Sequence, residues 1–476
     1  MVSPLVASDA TPGPGGSQAR NPDPVPPSNV RFMTDGTYPA NTVRAAWIAV
    51  LGTVLVGPVL IRLVTAPPAP LWTQLSTTTG LLALSAIVCA AVLPSRVRSL
   101  TRAFGIEGIL EVHRSLGALA AALVLAHLAC VVAADPANVA LLFPARATTA
   151  SVAATVATLA VALVVVLAIT RGHTRHLPYE LWRWTHVALA AVGIVGSALH
   201  VWYLQQLVTD SVMSAVLAVL TVALLAVLLH RWLLRALFDP SSEFVVREVR
   251  SESASVSTLV LDRRRAQHGG DPAHEWTFAP GQFAWLRLAR STRAEEHPFT
   301  IASSAHDPDA VEFTIRHAGS FSASVARLTP GQPVWVDGPH GAFTVDDSRS
   351  ATGVVMIAGG VGVTPMMSML RTAADRGDAR RFHLVLVVAR REDVLFRDEL
   401  ALLGEHLYLD VSEVLRSRGR GNDVAPLATA LAEAADPAAL DYFVCGSPTL
   451  VATAFHALEL LGVPPDHVRT EQFDMV

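Results

Sequence analysis

Four histidines lie inside apolar stretches as two pairs of equal spacing: His113 with His127, and His186 with His200. Fourteen residues separate the members of each pair. That is about 3.9 helical turns, so both members fall on nearly one helix face, roughly 21 Å apart along the axis. Imidazole is costly inside a bilayer and generally marks function there. A lone histidine in such a helix can be just a hydrogen-bonded interior residue. Two matched pairs, on helices that run in the same direction, can instead supply two axial ligands to each of two stacked hemes. This layout carries electrons across a membrane. His173 and His176 sit in a basic loop and His230 ends a helix beside Arg231, so these three read as surface or interfacial residues.

The second half of the chain holds a different set of chemistry-bearing motifs. His297-Pro298-Phe299-Thr300-Ile301-Ala302-Ser303-Ser304 reads as a strand with an aromatic and several hydroxyls. Such groups can line a flavin, with Phe299 against the isoalloxazine and Thr300 as a hydrogen-bond donor. Gly319-Ser320-Phe321-Ser322 precedes a helical run, where backbone N–H groups and a helix N-terminus can take a diphosphate. Gly359-Gly360-Val361-Gly362-Val363-Thr364-Pro365 follows a buried strand at 353–358 and opens a helix at 366–374. Its glycines let a pyrophosphate approach the backbone, Thr364 can cap the helix, and Pro365 suits a first turn. It is not the Rossmann G-x-G-x-x-G, since Thr-Pro occupies the later positions. The strand at 383–389 ends in Arg390-Arg391, and Cys445-Gly446 ends another at 442–446. Cys445 can equally be a small buried core residue. Phe473, near the end of the sequence, can equally be simple packing.

These residues need two kinds of scaffold. The 476 residues are more than one domain requires. A mean hydropathy of +0.42 is high, and the apolarity is concentrated between residues 44 and 237. Six stretches there approach the ~20 residues that span a bilayer: 45–64, 75–93, 108–133, 149–170, 181–203 and 212–234. Arg96, Arg98, Arg102, Arg171, Arg175, Arg231 and Arg235 fall in alternate loops, while the intervening loops are nearly uncharged. The positive-inside rule then puts both termini in the cytoplasm of a multi-pass cell-membrane protein. No cleavable signal peptide is expected. Seven prolines among the first thirty residues describe a disordered cytoplasmic tail over 1–40. The three scattered cysteines make neither a disulfide framework nor an iron–sulfur site. A formal charge of -4 indicates no partner class, and no nucleic acid is expected.

After Asp239-Pro240, short β-type runs at 244–249, 257–261, 282–288, 311–316 and 333–336 are broken by Pro-Gly turns. They predict an antiparallel β-barrel over 240–348. From 352 to 476, alternating strands and helices predict an α/β domain with a parallel sheet. The six spans and their histidines predict a heme-binding membrane domain over 41–237. Gly117, Gly193 and Gly196 lie between the histidines, where a macrocycle or a neighbouring helix can come close.

His113-Arg114-x-Leu116-Gly117 on one helix and Tyr179-x-x-Trp182-x-x-x-His186 on another resemble the transmembrane domain shared by ferric reductases and NADPH oxidases, in its bacterial form. His297-Pro298-Phe299-Thr300, Gly338-Pro339-His340-Gly341 and the 359–365 loop resemble the FAD and nicotinamide domains of the ferredoxin–NADP reductase superfamily. The resemblance implies His113 with His186 around an inner heme b, and His127 with His200 around an outer one. It implies FAD on the 297–304 and 319–322 segments. It also implies NADPH or NADH on Gly359, Gly360, Gly362, Thr364 and Pro365, with Arg390 and Arg391 at the adenosine side. Cys445-Gly446 would lie beside the nicotinamide, and Phe473 would cover the flavin.

The reading is a transmembrane flavocytochrome b that passes electrons from cytoplasmic NAD(P)H through FAD and two b hemes to a small-molecule, one-electron acceptor outside. Ferric iron is favoured. Superoxide-making oxidases of this family carry a histidine one turn beyond the outer ligand, where this chain has Val131, and their histidine spacing on the fifth span tends to be one residue shorter than the fourteen found here. Arg62 fits either acceptor. The rival readings are such an oxidase, an electron-delivery module for a periplasmic partner, and a redox sensor. The two arginines suggest a modest preference for NADPH. Oligomeric state is left open.

Overall fold

The computed structural model describes residues 40–95, 97–143, 146–172, 179–234, 242–263, 276–290, 294–306, 310–348, 350, 353–416, 424–432 and 437–472. The expected N-terminal tail, His173, His176 and Phe473 lie outside the described residues.

Six helices long and apolar enough to cross a bilayer come first: α1 (Ala40–Thr65), α2 (Leu71–Val92), α3 (Arg98–Ala134), α4 (Thr149–Ile169), α5 (Tyr179–Leu204) and α6 (Ser211–Leu229). The hydropathy-based spans agree to within a few residues except the sixth, which passes into a π turn over His230–Leu234. In lipid, backbone groups must be satisfied internally, which a helix does residue by residue. Local chemistry sets the ends. The Thr148 side chain accepts from Ser151 N–H ahead of α4, and Asp210 accepts from Val212 and Met213 N–H ahead of α6. Gly105, at φ 66°, breaks α3 into a leading segment at 98–104 and the apolar span that begins at Gly108.

The bundle pairs α2 with α3 and α4 with α5, and α1 leans on α2, α3 and α6. A Cβ on Gly196 would stand 3.0 Å from Ala157 Cβ, and one on Gly193 would stand 3.3 Å from Val161. Both glycines therefore serve the close approach of α4 to α5. Gly117 faces open space.

Next come β1 (Ser242–Ser253), β2 (Val256–Arg263), β3 (Phe283–Arg287), β4 (His297–Thr300), β5 (Ala310–Arg316), the short α7 (Ser320–Val325) and β6 (Pro333–His340). The antiparallel order is β4-β3-β6-β1-β2-β5, and an Ile301–Phe313 bridge joins the two ends into a barrel. Phe244, Leu259, Leu261, Phe313 and Val334 fill its interior.

The last part is a parallel sheet in the order β11-β10-β7-β8-β9. In chain order it comprises β7 (Gly353–Gly359), α8 (Val363–Arg376), β8 (Arg381–Val388), α9 (Arg397–His406), β9 (Tyr408–Leu415), α10 (Val424–Leu431), β10 (Asp441–Gly446), α11 (Pro448–Leu460) and β11 (Val468–Gln472). Strand periodicity splits β7 between two cores. Val354 and Met356 meet Met366 and Leu370 of α8 on one face. Val355 and Ile357 meet Val451 and Leu458 of α11 on the other. Each such burial contributes about 1.5–3 kcal/mol. Helices on both faces leave the C-terminal ends of β7, β8 and β10 as the place where small-residue loops gather.

Candidate functional site

The two histidine pairs face each other across α3 and α5, helices that have little direct packing between them. Ring centres are 6.1 Å apart for His113 and His186, and 6.3 Å apart for His127 and His200. A metal–imidazole bond is about 2 Å and a ring centre lies roughly 1.2 Å further, so two imidazoles trans on one metal sit about 6.4 Å apart. Both pairs match that separation. Among the described residues no cluster of three or more His, Cys, Asp or Glu side chains is placed to hold a bare metal ion. Two facing imidazoles without a third protein donor would suit a metal that arrives already held in a prosthetic group.

Three of the four rings are oriented by backbone carbonyls on the neighbouring helix. His113 Nδ1 lies 2.9 Å from Ala90 O, His127 Nδ1 2.7 Å from Ser76 O, and His200 Nδ1 3.0 Å from Ala150 O. A carbonyl only accepts, so Nδ1 carries the proton in each and the Nε2 lone pair is free. The fourth ring differs. His186 Nδ1 is buried with no hydrogen-bond partner, and the indole of Trp182 stacks on the ring at 5.4 Å and 28°. Trp182 donates to Leu167 O at 3.1 Å, and the Arg171 guanidinium lies 5.4 Å over the indole. At the other end of the bundle Arg62 meets Asp210 at 3.9 Å.

A second site lies between the barrel and the parallel sheet, in a cleft of about 780 Å³. Pro298, Phe299 and Thr300 line one side of it, and Gly359, Gly360 and Thr364 the other. Pairing of Ala284 with Phe299 and of Phe283 with Thr300 fixes the first group on β4. Phe321 supports it from behind: its ring is 4.5 Å from that of His297 and stacks at 6.0 Å and 16° with that of Phe299. None of the four residues of the second sequence motif, Gly319, Ser320, Phe321 and Ser322, reaches the cleft lining; Ala318, the residue before it, does. Ser322 Oγ instead accepts from the N–H groups of Ala318 and Gly319, both at 2.9 Å.

The glycine loop has distinct jobs at each position. Gly360 is left-handed at φ 58°, and a Cβ there would lie 3.2 Å from the Arg316 guanidinium. At Gly362 a Cβ would overlap the Cys445 carbonyl oxygen and stand 2.7 Å from its carbon. This glycine serves the packing of α8 on β10. The expected cap is corrected: α8 begins at Val363, and the Thr364 hydroxyl donates to Val361 O at 2.8 Å from inside the helix. A tight turn over Gly360–Gly362 feeds straight into α8, so the helix starts three residues earlier than expected. Pro365 and Cys445 are buried, Cys445 completely, while Gly446 lines the cleft.

Arg390 lines the far end of the cleft and Arg391 does not. A hydrogen bond with Asp393 at 2.8 Å, and the charges of Asp393 and Glu392, hold Arg390 above the ordinary arginine range. Sequence reading missed Arg316 and Arg416, which place two more cations on the lining. Arg316 carried a signal, as the single cation closing an apolar strand just before Gly319. Arg416, following β9, carried none.

Residues 79–197 match the family described as ferric reductase like transmembrane component, 260–344 an FAD-binding domain, and 356–455 an oxidoreductase NAD-binding domain. The chain is 31% identical over 210 residues to ferredoxin–NADP reductase B of Sorangium cellulosum, covering 41% of this chain and 86% of that one. It is 27% identical over 243 residues to the reductase component of propane 2-monooxygenase from Rhodococcus jostii, covering 48% of this chain and 64% of that protein's length. The flavohem-like FAD/NAD-binding domain of nitric oxide dioxygenase from Vibrio cholerae superposes with a TM-score of 0.41 at 22% identity, covering 49% of this chain and 99% of that one. With six apolar helices ahead of these two nucleotide domains, the chain is a transmembrane, FAD- and NAD(P)H-dependent oxidoreductase that belongs to the ferric reductase and NADPH oxidase superfamily.

Proposed function

We propose that the protein carries electrons from cytoplasmic NAD(P)H through FAD and two b hemes to a one-electron acceptor on the far side of the membrane, with ferric iron as that acceptor. The observation that carries this reading is the pair of ring separations, 6.1 and 6.3 Å, between histidines stacked at two depths of the same two helices. His113 and His186 would hold the inner heme, and His127 and His200 the outer. When bound, these cofactors supply the chemistry: FAD converts a two-electron hydride donor into single electrons, and the hemes relay them.

The protein's own residues bind, orient and exclude water. Carbonyls of Ala90, Ser76 and Ala150 fix three imidazoles in the tautomer that leaves Nε2 free. Phe299 and Thr300 would meet the flavin. Arg316 and the α8 N-terminus would face diphosphate, since the first turn of a helix presents unpaired N–H groups to an anion. The basic loops support a cytoplasmic position for this half. Val131 in place of a further histidine favours ferric iron over dedicated superoxide production.

The test combines cofactor content with turnover. Purified protein should contain two b hemes per chain, and His127→Ala should contain one while NAD(P)H still reduces FAD. Turnover with Fe(III) chelates should exceed turnover with oxygen at matched concentrations. One heme per parent chain overturns the paired-ligand reading, and a faster rate with oxygen overturns the acceptor.

A further inference from the structure

One face of α8 is built as a polar seam against the barrel. Ser368, Arg371 and Thr372 share one helix face at i, i+3 and i+4 spacing. Ser368 Oγ donates to Ser303 O at 2.8 Å and accepts from Gly281 N–H at 3.3 Å. Thr372 Oγ1 accepts from Ala305 N–H at 2.9 Å. Between them the Arg371 guanidinium is largely buried, with its side chain 13% exposed. Nη1 donates to Ala302 O at 2.7 Å and to Glu312 Oε2 at 3.0 Å. Nε and Nη2 form a two-pronged contact with Glu399, at 2.6 and 2.8 Å.

These contacts tie together three pieces that surround the cleft. Residues 301–305 continue directly from β4, the strand whose Phe299 and Thr300 line the flavin side. Helix α8 begins at the glycine loop. Glu399 belongs to α9, and the residues before that helix, Val394 and Leu395, line the dinucleotide side. Arg371 also lies 5.5 Å over the ring of Phe396, a non-glycine residue held at φ 59°. A left-handed phenylalanine costs of order 1–3 kcal/mol and persists only where its surroundings enforce it. Burial pulls the guanidinium toward neutrality, but the Glu399 hydrogen bonds and the Glu312 and Glu399 charges outweigh it, so the charge is secure.

We propose that Arg371 is a positioning residue for hydride transfer: its fork to Glu399 and its bonds to Glu312 and Ala302 O set how the dinucleotide half of the cleft sits over the flavin half. It does not line the cleft in which the two cofactors would sit. It fixes the gap between the elements that hold them, and a misplacement of 1 Å in such a gap costs about 100-fold in rate. Lysine has one ammonium group and cannot span both carboxylates and the carbonyl. The proposal rests on the flavin and nicotinamide reading of the cleft and is independent of the hemes.

The test uses the full-length, FAD-loaded protein with Arg371→Gln, Arg371→Lys and Glu399→Gln. Anaerobic stopped-flow separates the limiting rate of flavin bleaching by NAD(P)H from the nucleotide Kd. Arg371→Gln should keep bound FAD and change Kd less than about threefold, while the limiting rate falls about 100-fold. The long-wavelength charge-transfer band of nicotinamide stacked on flavin should be lost. Arg371→Lys should not rescue, and Glu399→Gln should fall between parent and Arg371→Gln. A limiting rate within threefold of parent in FAD-loaded Arg371→Gln overturns the proposal. If that variant loses FAD, Glu399→Gln is read by the same criteria, and loss of FAD from both overturns it by showing a purely structural network. A parent whose flavin neither nucleotide bleaches overturns the reading of the cleft itself.

Discussion

Gly80 on α2 lies against His127 on α3 so closely that a methyl group at position 80 would stand 3.0 Å from the ring's Nδ1 and 3.1 Å from Cε1. The same ring nitrogen holds Ser76 O at 2.7 Å, one turn earlier on α2. One stretch of α2 thus supplies both the carbonyl that orients the imidazole and the gap that admits it. Gly80→Ala should push the ring off its carbonyl and weaken the second pair alone. Heme content should fall toward one per chain, with reduction of FAD by NAD(P)H unchanged. Full heme content with an unaltered low-spin spectrum would count against this packing argument.

Gly362 presents a similar constraint in the soluble half. A Cβ there overlaps the Cys445 carbonyl, which is backbone and cannot swing aside. Gly362→Ala must part α8 from β10, and overpacking of this kind costs about 1–3 kcal/mol. The dinucleotide domain should melt several degrees lower, with the heme spectrum intact. Gly319→Ala is the comparison, since nothing lies within 4 Å of that position, and its melting temperature should match the parent.

The sequence made the architecture readable because two different periodicities mark its halves. Spans such as 149–170 are apolar around the whole helix, which only lipid or a deep core tolerates, and α4 duly runs Thr149–Ile169. The 353–358 run of small and β-branched residues reads as a strand buried on both faces, as β7 is. Contacts that depend on three-dimensional register were not readable. No local pattern distinguishes Gly80 from any other membrane glycine, and its role depends on a side chain 47 positions later. Nothing local marks Arg371 either, because its partners Glu312 and Glu399 come from a barrel strand and another helix. Thr364 misled for a local reason: a capping residue type stood inside the helix, where its hydroxyl turns back to Val361 O.

Nucleotide choice should depend on the carboxylates beside Arg390 as much as on the arginine. Asp393 lies 2.8 Å from its guanidinium and Glu392 also pairs with it, so a 2′-phosphate must displace two anions to reach it. Asp393→Asn should lower KM for NADPH and leave KM for NADH nearly unchanged, since NADH lacks that phosphate. Arg390→Ala should erase the difference between the two nucleotides. Equal effects of Asp393→Asn on both nucleotides would move the discriminating cation elsewhere, with Arg416 the next to examine.

The unequal treatment of the four imidazoles predicts two unequal hemes. A carbonyl acceptor on Nδ1 makes an imidazole a stronger donor, which stabilises the oxidised metal and lowers its reduction potential. His127 and His200 both have such an acceptor, whereas in the other pair only His113 does, and His186 has an indole face instead. The site of His113 and His186 should therefore have the higher potential. An equilibrium redox titration of the parent should resolve two waves. In His127→Ala, which keeps only the first site intact, the surviving wave should coincide with the upper one. Survival of the lower wave would reverse the assignment and show that some influence other than Nδ1 hydrogen bonding, such as exposure of the macrocycle edge, dominates. Under the expected assignment, Trp182→Leu should shift the upper wave and leave the lower unmoved, because the indole stacks on His186.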